Sequence, residues 1–140
     1  MSINIPENIR GPVFVYYEID NFYQNHRLYS RSKKISQLHG DLFTVNQQDG
    51  ECSPISTNSD GGYTTSITGA PLDPIGPANP CGLVAMTVFT DTYTLTGPSG
   101  NVPISSDDIA WKGDIDKIKI TDPSVMWQNT TDQRYMNWMR

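Results

Sequence analysis

Residues 12–29 read PVFVYYEIDNFYQNHRLY, and this stretch carries the strongest structural signal in the chain. From 13 to 19, apolar and aromatic side chains alternate between the two sides of an extended backbone, which predicts a strand. A side-chain oxygen of Asp20 or Asn21 can then cap a helix, predicted to run from Asn21 to about Ser32. A dense set of polar and aromatic side chains, here called the junction patch, lies at the start of this helix: Asn21, Tyr23, Gln24, Asn25 and His26.

The junction patch has two interpretations. Its side-chain amides could form a hydrogen-bonded network that ties the strand–helix junction to neighbouring loops. Alternatively, the patch is a docking surface for another protein. The residues alone leave both interpretations open.

Beyond this stretch, turn-forming residues separate short segments of regular pattern. Residues 46–79 are rich in Gly, Ser, Thr, Asn, Asp and Pro, which predicts a long irregular loop. The turn signal at 97–101 predicts a hairpin or a bulged loop. Short strands separated by turns are typical of a mainly β, antiparallel fold with one or two short helices. The remaining predicted elements are strands at 83–89, 92–96 and 115–120 and a short helix at 133–140.

Composition restricts the class of protein. The 140 residues suit one domain, and the 3 Trp, 7 Tyr and 4 Phe can pack a core. The net charge of −5 argues against nucleic acid as a partner, because nucleic-acid binding normally requires a basic surface. The sequence has no apolar run of the ~20 residues that a membrane-spanning helix needs. It also begins without a signal-peptide pattern, which taken alone predicts a cytosolic protein.

Six shorter elements follow the 12–29 stretch in a fixed order: SQLHG (36–40), ECSP (51–54), NPCGLVA (79–85), VFTDTY (88–93), IAWK (109–112) and WMR (138–140). Together they span nearly the whole chain. In these elements the sequence resembles the cell division control protein 50 family. That family supplies the accessory subunits of type-IV P-type ATPases, the lipid flippases.

The resemblance implies a location, a fold and a function. Residues 1–140 are expected to be the first part of an exoplasmic β-sandwich domain, on the lumenal or extracellular side of the endoplasmic reticulum, Golgi, endosome or plasma membrane. Transmembrane helices are expected outside this sequence, with the targeting segment upstream. The implied subunit has no catalytic role and no cofactor; it binds the ATPase and supports its exit from the endoplasmic reticulum and its phospholipid transport. Two departures are Leu28, which replaces an Arg, and Thr90, which replaces an Asn that is a common glycosylation acceptor.

Cys52 and Cys81 are 29 positions apart, on either side of the polar loop. They could form a disulfide that closes this loop, or they could be two free thiols. A zinc site would also need His26 and His39, which are poorly placed to converge on both cysteines. The resemblance implies the disulfide, and a disulfide in turn implies an oxidising compartment.

Asn129-Thr130-Thr131 is the only Asn-x-Ser/Thr triplet in which the middle residue is not Pro, and a lumenal location would make Asn129 a glycosylation site. The chain lacks a nucleophile elbow, a His-Glu-x-x-His pair and a phosphate-binding loop, so no catalytic residue is assigned. A solvated edge explains the carboxylates of 107–116, so no metal site is assigned either.

One rival function comes from a different class of protein. Exposed tryptophans would suit a secreted carbohydrate-binding β-sandwich module. Trp111, Trp127 and Trp138 are instead expected to be packing anchors.

Overall fold

The computed structural model describes residues 2–140, apart from the side chain of Asp49. Short helices and one two-stranded antiparallel sheet make up the regular structure of this range. The helices are α1 (Arg27–Arg31), α2 (Ile35–Leu38), α3 (Val45–Cys52), α4 (Asn58–Gly61), α5 (Leu83–Met86), α6 (Lys112–Lys117) and α7 (Gln133–Met139), and the strands are β1 (Leu95–Gly97) and β2 (Gly100–Val102). Of the helices described, none is both long and apolar enough to span a bilayer.

The main core forms where α5 packs against α7. Its buried members are Leu38, Val84, Ala85, Ile118, Tyr135, Met136 and Met139. The indole Nε1 of Trp138 donates a hydrogen bond to the carbonyl of Val84 over 2.7 Å, which fixes the two helices relative to each other. Full burial of one such apolar side chain stabilises a fold by about 1.5–3 kcal/mol, so this cluster is the main source of hydrophobic stabilisation in the range described.

A second, smaller core surrounds the cysteines. Cys52 and Cys81 form a disulfide with their Cα atoms 5.5 Å apart, and both residues are fully buried. Ala78 is buried beside them, and Tyr63 packs against the cluster. The ring of Tyr63 stacks on Trp127 with centroids 4.0 Å apart, and the Trp127 Nε1 donates to the carbonyl of Pro80. The 46–79 segment is therefore folded back onto the disulfide.

Reciprocal caps explain the helices inside this segment. The Thr44 N–H donates to the side chain of Gln47 at the start of α3. At α4, the Asp60 N–H donates to Thr57 Oγ1 and the Thr57 N–H donates to the Asp60 carboxylate. These pairs satisfy backbone donors that a helix start leaves free. The prediction of a wholly irregular loop is wrong in this respect.

Two predicted strands are helices in the structure. The 83–89 run contains α5, because Gly82 with φ +98° turns the chain and the Met86 N–H then bonds the Gly82 carbonyl. A continuous apolar run does not distinguish a buried strand from a buried helix. The 115–120 run contains the end of α6, where the Ile118 N–H bonds the carbonyl of Asp114.

The hairpin at 97–101 and the C-terminal helix are confirmed. Leu95 pairs with Val102 and Gly97 with Gly100, while α7 covers most of 133–140. The strand predicted at 92–96 begins only at Leu95. Residues 13–19 form no strand, and the helix predicted for 21–32 is limited to α1. The larger antiparallel sandwich stays a prediction.

Candidate partner-binding surface

The junction patch lies on an exposed turn between the extended N-terminal segment and α1. All five patch residues are exposed, and Tyr23 is 76% exposed. Asn21 adopts a left-handed backbone conformation with φ +58°, which Asn tolerates better than most residues. The His26 N–H then donates to the carbonyl of Tyr23 over 3.3 Å. This turn presents the patch side chains to solvent.

Phe22 anchors the turn to the main core. Its ring meets Tyr29 edge-on with centroids 5.5 Å apart, and it lies 5.6 Å from the ring of Trp138. Tyr29 in turn shares a hydrogen bond of 2.8 Å with the hydroxyl of Thr87. Sequence reasoning did not single out Phe22, although it is the one fully apolar side chain among the polar residues of the turn.

The hydrogen-bonded network proposed for the patch is absent from the range described. None of the side-chain hydrogen bonds found between residues 2 and 140 involves Asn21, Tyr23, Gln24, Asn25 or His26. The structure therefore gives the network interpretation no support within this range, and the docking interpretation stays a prediction.

Exposed aromatic side chains precede the patch and extend its surface. Residues 13–19, here called the aromatic strip, are all exposed, and Tyr16 is 87% exposed. Tyr17 stacks on Phe89 and on Tyr93, with centroids 4.5 Å and 5.5 Å apart. Contiguous exposed apolar surface on a protein commonly marks a site of interaction. Strip and patch together form one candidate binding surface of 13–26.

Hydrogen bonds connect the segment after the patch to residues around the disulfide. Ser32, just after α1, is buried; its hydroxyl donates to the carbonyl of Cys52 over 3.1 Å and accepts from the N–H of Leu83 over 2.9 Å. The side chain of Gln37 donates to the carbonyl of Ala78 and accepts from the N–H of Cys81. The segment that carries the patch is therefore fixed to both sides of the disulfide.

The residues beneath this surface include one ion pair and three groups with shifted pKa values. Lys34 is buried, and its ammonium group pairs with the Glu51 carboxylate at 2.7 Å. Burial raises the pKa of Tyr63 and Tyr135 well above the ordinary tyrosine value, so both phenols stay neutral. Hydrogen bonds from the Thr57 backbone hold the pKa of Asp60 below its usual value.

No metal centre appears in the part of the chain that the structure describes, where no group of three or more His, Cys, Asp or Glu side chains could hold an ion. Among the carboxylates near 107–116, Asp114 lies 3.7 Å from the guanidinium of Arg140. The cation of Arg140 also lies over the ring of Trp111. Trp127 and Trp138 are packing anchors as expected, but the prediction is wrong for Trp111, which is 53% exposed and lies outside the core.

Asn129 lies on a separate exposed turn before α7. Its Oδ1 accepts hydrogen bonds from both the N–H and the hydroxyl of Thr131, at 2.9 Å and 2.8 Å. Thr130 between them is fully buried and donates to the carbonyl of Lys119. This turn is therefore anchored by Thr130, while Asn129 and Thr131 remain exposed.

Comparison with known proteins identifies the family. Residues 1–140 match the LEM3 (ligand-effect modulator 3) family / CDC50 family. Putative ALA-interacting subunit 4 of Arabidopsis thaliana is 37% identical over 115 residues, which is 81% of this chain and 29% of that protein. Cell cycle control protein 50B of Homo sapiens is 33% identical over 129 residues, 88% of this chain and 32% of that protein. The phospholipid-transporting ATPase accessory subunit CDC50 of Chaetomium thermophilum is 37% identical over 97 residues, 67% of this chain and 20% of that protein.

The exposed aromatic and polar side chains on a disulfide-bonded support are a candidate binding surface. This chain belongs to the LEM3/CDC50 family. It matches less than a third of the length of each of these relatives. No solved structure matches it.

Proposed function

We propose that this chain is part of a non-catalytic accessory subunit that binds a type-IV P-type ATPase and supports its exit from the endoplasmic reticulum and its phospholipid translocation. The observation that carries the proposal is the family match over all 140 residues. The names of two relatives, an ALA-interacting subunit and a phospholipid-transporting ATPase accessory subunit, support the same partner. ATP hydrolysis and lipid movement then belong to the ATPase.

The 13–26 surface is the part of the chain proposed to contact the ATPase. It combines exposed aromatic rings with amide and imidazole groups that bond no other described side chain. Tyrosine is enriched among the residues that dominate binding energy at protein interfaces, since it offers a large rigid ring with a polar end. Phe22 holds the turn in place, so the partner meets a surface that is already ordered.

The proposed domain lies on the lumenal or extracellular side of a membrane. The Cys52–Cys81 bond supports this location, because stable disulfides belong mostly to oxidising compartments. Membrane attachment is proposed to come from helices outside these 140 residues. The proposed fold of the complete domain is an antiparallel β-sandwich, for which the β1–β2 hairpin is the support.

The test is co-purification of the full-length protein containing this segment with a type-IV P-type ATPase from detergent-solubilised membranes. Tyr23→Ala is expected to lower the affinity about 30-fold, the effect of losing one dominant interface residue of about 2 kcal/mol. Ile75→Ala is the matched control, because Ile75 is 80% exposed and lies outside the 13–26 surface. Equal recovery with both variants contradicts the assignment of the surface, and failure of the unmodified protein to recover any such ATPase contradicts the function.

A further inference from the structure

A cleft of about 550 Å³ lies beside the segment that folds back onto the disulfide. Residues 42–43, parts of 70–79 and residues 124–125 supply most of its lining. Clefts of about 300–1,000 Å³ commonly hold a ligand in proteins. None of the residues that line this cleft belongs to the 13–26 surface, so the cleft is a separate candidate site.

Helix α4 fixes one wall of the cleft. The Asn58 N–H donates to the Gly76 carbonyl over 3.0 Å, and the Asn58 Nδ2 donates to the Asp73 carbonyl over 2.9 Å. The Asp73 Oδ1 also accepts from the Ile75 N–H over 3.2 Å. The Asp73 carboxylate is therefore held in place although the residue is exposed. A site that is ordered in advance loses less conformational entropy when it binds a ligand.

Two buried hydrogen-bond acceptors at the cleft lack a partner. Asn58 and Asn79 both line the cleft and are 3% and 5% exposed. The Oδ1 atom of each is buried and accepts no hydrogen bond from the described part of the chain. A buried acceptor without a partner is unfavourable, so a ligand that brings hydrogen-bond donors into the cleft has an advantage.

The charge at the cleft is negative. Asp73 is a lining residue, and no ion pair of its carboxylate is found within residues 2–140. The lining residues of the described range include no Lys, Arg or His. The ammonium group of Lys34 lies over the ring of Phe43, but it is already paired with Glu51 at 2.7 Å. A complementary ligand therefore carries a positive charge as well as donors.

We propose that this cleft binds an arginine side chain that an apolar segment of a partner polypeptide presents. A guanidinium group has five N–H donors in a planar fork and no acceptor, which matches amide oxygens next to a carboxylate. The ammonium group of a lysine is more strongly hydrated and lacks the planar fork. An indole offers a single donor and no charge.

The apolar walls account for the rest of the ligand. Phe43 and Leu72 line the cleft and can pack along the methylene groups of an arginine stem. Leu42 and Val125, which are 51% and 38% exposed, offer apolar surface to the residues next to that arginine. The ligand is therefore expected to be a short segment in which apolar residues flank the arginine.

Calorimetric titration of the full-length protein in detergent with blocked tripeptides tests the chemistry of the ligand. Acetyl-Leu-Arg-Leu-amide is expected to bind about tenfold more tightly than the same peptide with citrulline, which is nearly the same shape but uncharged, or with lysine. Equal affinity for the three peptides, or no binding of the arginine peptide at millimolar concentration, overturns the proposal.

Asp73→Asn tests the position of the site. The substitution removes the charge but keeps an oxygen that can accept from the Ile75 N–H. It is expected to weaken binding of the arginine peptide about tenfold and to leave binding of the citrulline peptide unchanged. Asp116→Asn is the matched control, because it makes the same change at an exposed residue of α6 that does not line the cleft. An equal loss in both variants overturns the assignment to the cleft.

Two further measurements test the source and the place of binding. Free L-arginine is expected to bind about tenfold more weakly than the tripeptide, because it lacks the apolar neighbours; equal affinity points to a small guanidinium compound and overturns the polypeptide ligand. The tripeptide is expected to slow hydrogen exchange at 72–77 and to leave 21–31 unchanged. Protection at 21–31 alone overturns the site. Neither measurement involves the ATPase, so failure here leaves the proposed function standing.

Discussion

Replacing Gln37 with Leu tests how the disulfide region holds the segment that carries the junction patch. Gln37 is 2% exposed, and its amide connects two backbone groups of another segment: Nε2 donates to the Ala78 carbonyl over 3.1 Å, and Oε1 accepts from the Cys81 N–H over 2.9 Å. Leucine has nearly the same volume but can form neither bond. The substitution therefore changes polarity with little change in packing.

The cost in stability follows from the two backbone groups that lose a hydrogen bond, the Ala78 carbonyl and the Cys81 N–H. The Ala78 carbonyl still accepts a hydrogen bond from the Gln48 Nε2 at 3.2 Å, so the loss of the bond from Gln37 costs little at this group. The Cys81 N–H is fully buried and has no replacement acceptor, and an unsatisfied buried donor costs about 1–3 kcal/mol. Together the effects amount to about 2–3 kcal/mol, which corresponds to a roughly 30- to 140-fold change in an opening equilibrium.

Hydrogen exchange followed by mass spectrometry in the full-length protein measures this change. Peptides spanning 78–83 are expected to exchange about 30- to 140-fold faster in Gln37→Leu. Gln24→Leu is the control, because it makes the same chemical change at an exposed side chain. If both variants exchange at the same rate over 78–83, the Gln37 bonds do not hold the disulfide region.

Two further predictions concern the backbone next to the disulfide and the cap of α7. Gly82→Ala is expected to prevent folding and surface delivery, since Gly82 has φ +98° and an added Cβ would collide with the carbonyl of Ser32; normal delivery of the variant would contradict this. A hydrogen bond from the Arg134 side chain holds the pKa of Asp132 below 3.8. The stability that the ionised Asp132 carboxylate gives the fold is therefore fully present at neutral pH and is lost as the pH falls through the folded-state pKa of Asp132. Asp132→Asn should therefore unfold more readily at pH 7 and lose less stability below about pH 4 than the unmodified protein, as followed by thermal unfolding.

How much could be predicted from the sequence depends on whether a feature is set by local or distant contacts. Turn chemistry is local, so the hairpin at 97–101 was predicted correctly, as was α7. The helices α5 and α6 were missed because distant contacts determine how their segments pack. Val84 in α5 packs with residues of α7, and Ile118, directly after α6, joins the core that contains Leu38. Isoleucine and valine favour strands only where a neighbouring strand is present to pair with.

The candidate surface also combines features set by local sequence with features set by distant contacts. Exposure of the junction patch agrees with its polar composition, but the role of Phe22 could not be predicted, because its partner Trp138 lies more than a hundred positions away. The absence of hydrogen bonds between patch side chains and the rest of the described chain also depends on the distant packing of the turn. Sequence elements identified the family, whereas the contacts that hold the surface in place are visible only in the folded structure.

Both ends of the patch-bearing segment are tied to elements next to the disulfide, which couples the covalent bond to the binding surface. At one end, Phe22 packs on Trp138, whose indole donates to Val84 in α5, only three positions after Cys81. At the other end, Ser32 bonds the carbonyl of Cys52 directly. A short loop fixed at two points loses little conformational entropy when a partner binds, so its contacts contribute more fully to affinity. The disulfide can therefore strengthen partner binding although it lies outside the proposed contact surface.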